Sequence, residues 1–170
     1  MDEQESVAPD ADDEDIDRSP PIGVFLSGEA FFKAACHLQR ASEAGELRLR
    51  FSMPIYYLYC HALELTMKAF LRTRKYPPLL LSRKFGHKLQ ALWDECVKQG
   101  LHSDPITDAF IADAIRRLHP FATSYEFRYL RVGPTTVPVP DAVECAIISL
   151  MAAVRPHCEA TLSGPVPDRG

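Results

Sequence analysis

His61, Glu64 and Lys68 recur at i, i+3 and i+7 inside Met53–Leu71, a segment that is hydrophobic almost all the way round. A helix of that kind is buried. At about 100° per residue the three ionisable groups fall within roughly 60° of one another, and Tyr57 joins the same stripe. A charge taken out of water must be paired or face a polar space. Glu64 and Lys68 form an i,i+4 pair in the favourable order. Either that pair locks helix packing, or it lines a polar site in which His61 carries a proton. Tyr57 taken alone reads as core.

A second group of residues favours an anion. Gly86-His87-Lys88-Leu89 opens a helix whose free N–H groups and positive dipole end attract negative charge, so His87 either meets a phosphate or caps a turn. Lys68, Arg72, Arg74, Lys75, Arg83, Lys84 and Lys88 all lie between Leu65 and Trp93, with no acid among them. A solvated loop would carry both signs, so the bias points to an anionic partner. Further on, Arg128 and Arg131 interleave with Tyr125, Phe127 and Tyr129. That pattern suits stacking on bases and pairing with phosphate. The alternative is that the aromatics pack the loop onto the protein and Arg128 pairs with Glu64. Arg116-Arg117-Leu118-His119 reads as a solvated helix end, and His157-Cys158 is too isolated for a nucleophile. No zinc spacing, phosphate-cradling glycine loop or serine triad is present, so no metal or cofactor is expected.

These residues need a helical frame. Ser27 can cap a first helix over 28–44, closed by Gly45. Pro54 is tolerated in the first turn of the second helix, which must stop before Pro77-Pro78. Leu79-Leu80-Leu81 packs a connecting loop. A third helix runs from near Gly86 to Gly100. Asp104-Pro105 is a strong start for a fourth, closed by His119-Pro120. Residues 121–140 read as an extended loop or short hairpin, and Asp141 caps a last apolar helix to about Ala160. The expected fold is all-α: an up-and-down bundle of four to five helices with one long aromatic, proline-rich loop.

Composition sets the limits. Hydrophobic content of 46% with 25% charged residues belongs to a soluble globular domain, and 170 residues suffice for one core. The net charge of −4 conceals a split, because residues 1–17 hold nine acids and no Lys or Arg. The rest carries 14 acids against 19 bases. The expected organisation is a disordered acidic tail over 1–21, a bundle over 22–162 and a frayed end over 163–170. The tail either solubilises the protein or competes with a polyanion for the basic surface. Five cysteines without metal-type spacing, no signal peptide and no membrane-length apolar run point to a reduced, cytoplasmic protein.

Tyr57-Leu58-Tyr59-Cys60-His61-Ala62-Leu63-Glu64-Leu65-Thr66-Met67-Lys68-Ala69-Phe70-Leu71, then Gly86-His87-Lys88-Leu89-Gln90-Ala91-Leu92, then Phe127-Arg128-Tyr129 resembles bacterial HEPN-like proteins (higher eukaryote and prokaryote nucleotide-binding). The resemblance covers roughly residues 25–158. It implies a helical bundle, homodimerisation, and a link to RNA metabolism, toxin–antitoxin pairs or phage defence. Many members are metal-independent ribonucleases whose active site has an arginine and a following histidine with four to six residues between them. No histidine here has that spacing; the nearest approach, Arg83 to His87, has three residues between. Two expectations follow. One is a non-catalytic module that binds a nucleotide, RNA phosphate or a partner protein through Lys68, His87, Lys88, Arg128 and Tyr129, with Glu64 and Tyr57 orienting them. The other is a metal-independent ribonuclease with His61 or His87 as acid/base, Lys68 and Arg128 stabilising phosphate charge, and Glu64 orienting one of them.

Overall fold

The computed structural model describes residues 19–50, 52–123 and 138–163. The acidic tail, the stretch carrying Arg128, Arg131 and Tyr129, and the C-terminal segment from 164 lie outside the described residues. Six helices follow one another: α1 (Pro21–Glu43), α2 (Met53–Thr73), the single turn α3 (Pro78–Leu80), α4 (Leu89–Lys98), α5 (Pro105–Thr123) and α6 (Pro140–Ala160). A π-helical turn, Leu81–Phe85, continues α3, and a 3-10 turn, Thr161–Ser163, ends the described chain. No strand occurs among the described residues, so the fold is an all-α helical bundle.

Side-chain pairs give the directions of the helices. Gly28 on α1 faces Ala62 and Thr66 on α2, while Gln39 meets Tyr59, so α1 and α2 run antiparallel. Arg40 pairs with Glu144 and Glu29 with Arg155, which sets α6 antiparallel to α1. Tyr56 donates to the Pro138 carbonyl at 2.5 Å and Phe70 packs edge-on against His157, so α6 runs parallel to α2. The α4–α5 hairpin leans on α2 and α6. At the centre, α2 buries Tyr59, Leu63, Met67 and Phe70 against Phe25, Leu92, Ile115 and Ile147. Each such side chain contributes roughly 2 kcal/mol through burial.

Several boundaries differ from the sequence reading. The first helix starts at Pro21 rather than Gly28, because a proline in the first turn has no N–H to lose. Ser27 therefore lies inside α1, and its hydroxyl donates back to the Gly23 carbonyl at 3.1 Å. Pro120 does not end α5, which continues to Thr123, and Pro140 rather than Asp141 opens α6. Residues 79–81 are helical rather than loop. The Asp104 cap is where the sequence puts it: Oδ1 accepts the N–H groups of Ile106 and Thr107, both at 3.0 Å.

Candidate functional site

The ionisable stripe of α2 meets the turn before α4 at Glu64. Its side chain is 7% exposed, yet both carboxylate oxygens are engaged: Oε1 accepts from Lys68 Nζ at 2.6 Å, and Oε2 lies 2.8 Å from His87 Nδ1. Lys68 is itself only 17% exposed, whereas the His87 side chain is 44% exposed. The arrangement is thus a buried carboxylate, neutralised from within its own helix, holding an imidazole at the surface. An ionised Glu64 requires the proton on Nδ1, which in a neutral ring puts the lone pair on Nε2.

Local geometry delivers His87 to that point. Phe85 and Leu89 are buried on either side of it and anchor the turn to the core. Between them Gly86 adopts φ 52°, ψ −120°, a combination that glycine alone tolerates well. The Gly86 N–H donates to the carbonyls of Leu81 and Ser82, closing the π turn, and Lys88 N–H donates to the Phe85 carbonyl at 2.9 Å. Helix α4 accordingly starts at Leu89, not near Gly86 as the sequence reading has it. Its Gln90 N–H is directed at His119 Nδ1, 3.4 Å away on α5. His119, expected on a solvated helix end, is half-buried, and burial holds its imidazole below the usual histidine range.

The other stripe residues lie one and two turns earlier. His61 packs between two rings: Phe31 stands edge-on at 4.3 Å between centroids, and Tyr57 lies nearly parallel at 6.4 Å. Tyr57 is exposed, at 36%, contrary to its reading as core.

Of the seven bases between Leu65 and Trp93, four are occupied internally. Lys68 neutralises Glu64; Arg72 donates to the carbonyls of Tyr76 and Ser19; Arg74 sits over the Phe70 ring; Lys84 sits over Phe85 and faces Glu95 at 3.7 Å. Of the remaining three, Arg83 and Lys88 are exposed and lie nearest His87 in sequence. Lys68, expected to contact phosphate, is thus a counter-ion by position, because its ammonium is spent on a buried carboxylate. Arg128 and Tyr129 lie outside the described residues.

Two polar clusters escaped the sequence reading. Gln39, buried, accepts from Tyr59 at 2.6 Å and donates to Glu43 and Asp141, joining three helices. Glu95 accepts from Tyr76 at 2.6 Å and from Gln99 at 3.1 Å. The i,i+4 spacing of Gln39–Glu43 and of Glu95–Gln99 was visible, but their long-range partners were not. Of the five free thiols, Cys145 alone is exposed. Burial, with Glu64 adding to it, pushes the Cys60 thiol far up, so it is no nucleophile. No group of three or more His, Cys, Asp or Glu side chains is placed to hold a metal ion among the described residues. No helix among them is long and apolar enough to cross a membrane.

Comparison with protein-family models, with curated proteins and with solved structures returns no significant match for this chain.

Proposed function

We propose that this chain is a non-catalytic, HEPN-like binding module that receives the phosphate of a nucleotide or RNA at His87. One observation carries the reading: an exposed imidazole held by a buried, already neutralised carboxylate. With Lys68 cancelling the charge of Glu64, an anion approaching His87 meets no uncompensated negative charge, and Lys88 and Arg83 follow and precede it in the chain. Lys68 thereby acts through Glu64 rather than on the phosphate. The absence of an arginine and a following histidine with four to six residues between them favours binding over cleavage. The resemblance to HEPN-like proteins adds homodimerisation and a partner in defence or toxin–antitoxin systems, and the cysteine usage adds a cytoplasmic setting.

The test is fluorescence anisotropy of a labelled single-stranded RNA against the wild-type protein, His87→Ala and Lys88→Ala, across a salt series. Affinity is expected to fall steeply with salt and to drop several-fold in each variant. Salt-insensitive binding, or none, removes the phosphate reading.

The Glu64–His87 contact also supports a second reading. A carboxylate on Nδ1 fixes the tautomer and puts the lone pair on Nε2, the form a general base requires. Incubation with mixed RNA in the presence of a chelator separates the two. Cleavage abolished by His87→Ala would make the chain a metal-independent ribonuclease; no cleavage leaves the binding module.

A further inference from the structure

Ser19 is seated on the end of α2, where its carbonyl accepts from Arg72 Nη2 at 3.1 Å. The acids Asp10, Asp12, Asp13, Glu14, Asp15 and Asp17 are therefore tethered to that point. Arg72 continues the row Glu64, Lys68, Arg72 at i, i+4 and i+8, so the tether stands on the face of α2 that also carries the Glu64–His87 contact. Beside it Arg74, whose guanidinium lies over the Phe70 ring, and Lys75 are both exposed. A charged segment held this close to opposite charge acts at an effective concentration on the order of millimolar.

We propose that residues 10–17 dock on the cationic end of α2, at Arg74 and Lys75, and extend along that face toward Lys88, where they compete with a phosphate ligand. The competition rests on the reading of His87 as the phosphate contact; the docking does not. Reach permits both. Arg72 and Glu64 stand about 12 Å apart along the helix axis, and four extended residues span about 14 Å. Asp15 and the acids before it can thus stand level with His87. The tail of a second copy, or a separate acidic protein, would meet the same cations only at its bulk concentration, so the tethered segment takes precedence. Contacts between exposed charges are screened by salt, which makes the docked segment releasable.

Two measurements on the full chain separate docking from competition. Without ligand, carbodiimide coupling joins a carboxylate to a lysine amine in contact with it. Mass spectrometry of the monomer is expected to find residues 10–17 joined to Lys75 at low salt and several-fold less of that product at high salt. No such product, or one confined to covalent dimers, overturns the docking. The second measurement is anisotropy with a short single-stranded RNA. Replacing the five Asp residues of 10–17 by Asn and Glu14 by Gln is expected to raise affinity about tenfold at low salt. Made in an Arg74→Gln, Lys75→Gln background, the same replacement is expected to gain only about twofold. An undiminished gain there assigns the effect to net charge and overturns the docked position. RNA binding that the neutral tail leaves unchanged overturns the competition and leaves the phosphate site standing. Coupling to Lys75 with no RNA binding by either chain overturns the phosphate site and the competition, and leaves the docking standing.

Discussion

Lys68 and Glu64 form an ion pair inside one helix, with Nζ 2.6 Å from Oε1 and both side chains largely withdrawn from water. On an exposed helix surface such a pair contributes only tenths of a kcal/mol. Here removal of one partner strands the other. Glu64→Gln keeps the shape and removes the charge, and is expected to destabilise the fold by about 3 kcal/mol in urea unfolding. The double variant Glu64→Leu, Lys68→Met is expected to lose less than the sum of the single changes, because no buried charge remains. Strict additivity would show that the two groups do not depend on each other.

Lys75 ends α2 at φ 64°, a left-handed conformation that costs a side-chain-bearing residue about 1 kcal/mol. Gly45 and Gly100 close α1 and α4 in the same way. In all three, the left-handed residue donates to the carbonyl three back, and the next N–H donates to the carbonyl five back. Only at Lys75 is the position not glycine. Lys75→Gly is therefore expected to stabilise the protein by about 1 kcal/mol, read as a higher midpoint in thermal or urea unfolding. An unchanged or lower midpoint would mean that the lysine side chain contributes enough to offset its strain.

The parts of the fold legible in the sequence are those settled within a few residues. Asp104-Pro105 announces α5 because the cap binds N–H groups two and three residues on. The alignment of His61, Glu64 and Lys68 follows from helical period alone. Pro21 and Pro120 both sit in helices here: Pro21 opens a first turn where no N–H is lost, and α5 continues through Pro120 to Thr123. The placement of His87 on Glu64 was not legible. It depends on the π turn, on the Gly86 backbone and on two buried anchors, all tertiary facts. Tyr57 looked like core because its helix is apolar. Its exposure is a tertiary fact that helical period does not carry.

His119 accepts the Gln90 N–H through Nδ1, which only a neutral ring with its proton on Nε2 can do. Burial holds its pKa below the ordinary 6.5, and the same cause lowers that of His157, with Arg74 assisting. The unfolded chain thus takes up protons that the folded chain refuses. The contribution to stability is complete above pH 6.5 and is lost progressively as pH falls below it. His119→Gln supplies a non-titrating acceptor, so its stability curve should be flatter than the parent's below pH 6.5. Parallel curves would show that His119 is not the group protonated.

Tyr76, just beyond α2, donates to Glu95 Oε1 on α4 at 2.6 Å, and Gln99 Nε2 donates to that same oxygen and, at 2.8 Å, to the Tyr76 hydroxyl. The Tyr76 bond, then the Gln99 bond, hold the Glu95 carboxyl below its ordinary 4.5, with Lys98 and Lys84 adding to them. Tyr76→Phe deletes the first of these donors and is expected to cost about 1.5 kcal/mol near neutral pH. A depressed carboxylate stabilises the fold above its unfolded pKa and loses that effect as pH falls through the folded value. Without the tyrosine hydroxyl the folded value rises, and less of this stabilisation exists to be lost. The gap between parent and variant in urea midpoint should therefore be widest above pH 4.5 and close as acid protonates Glu95 in both. A gap that stays constant down to low pH would assign the loss to packing of the phenol ring rather than to its bond with the carboxylate.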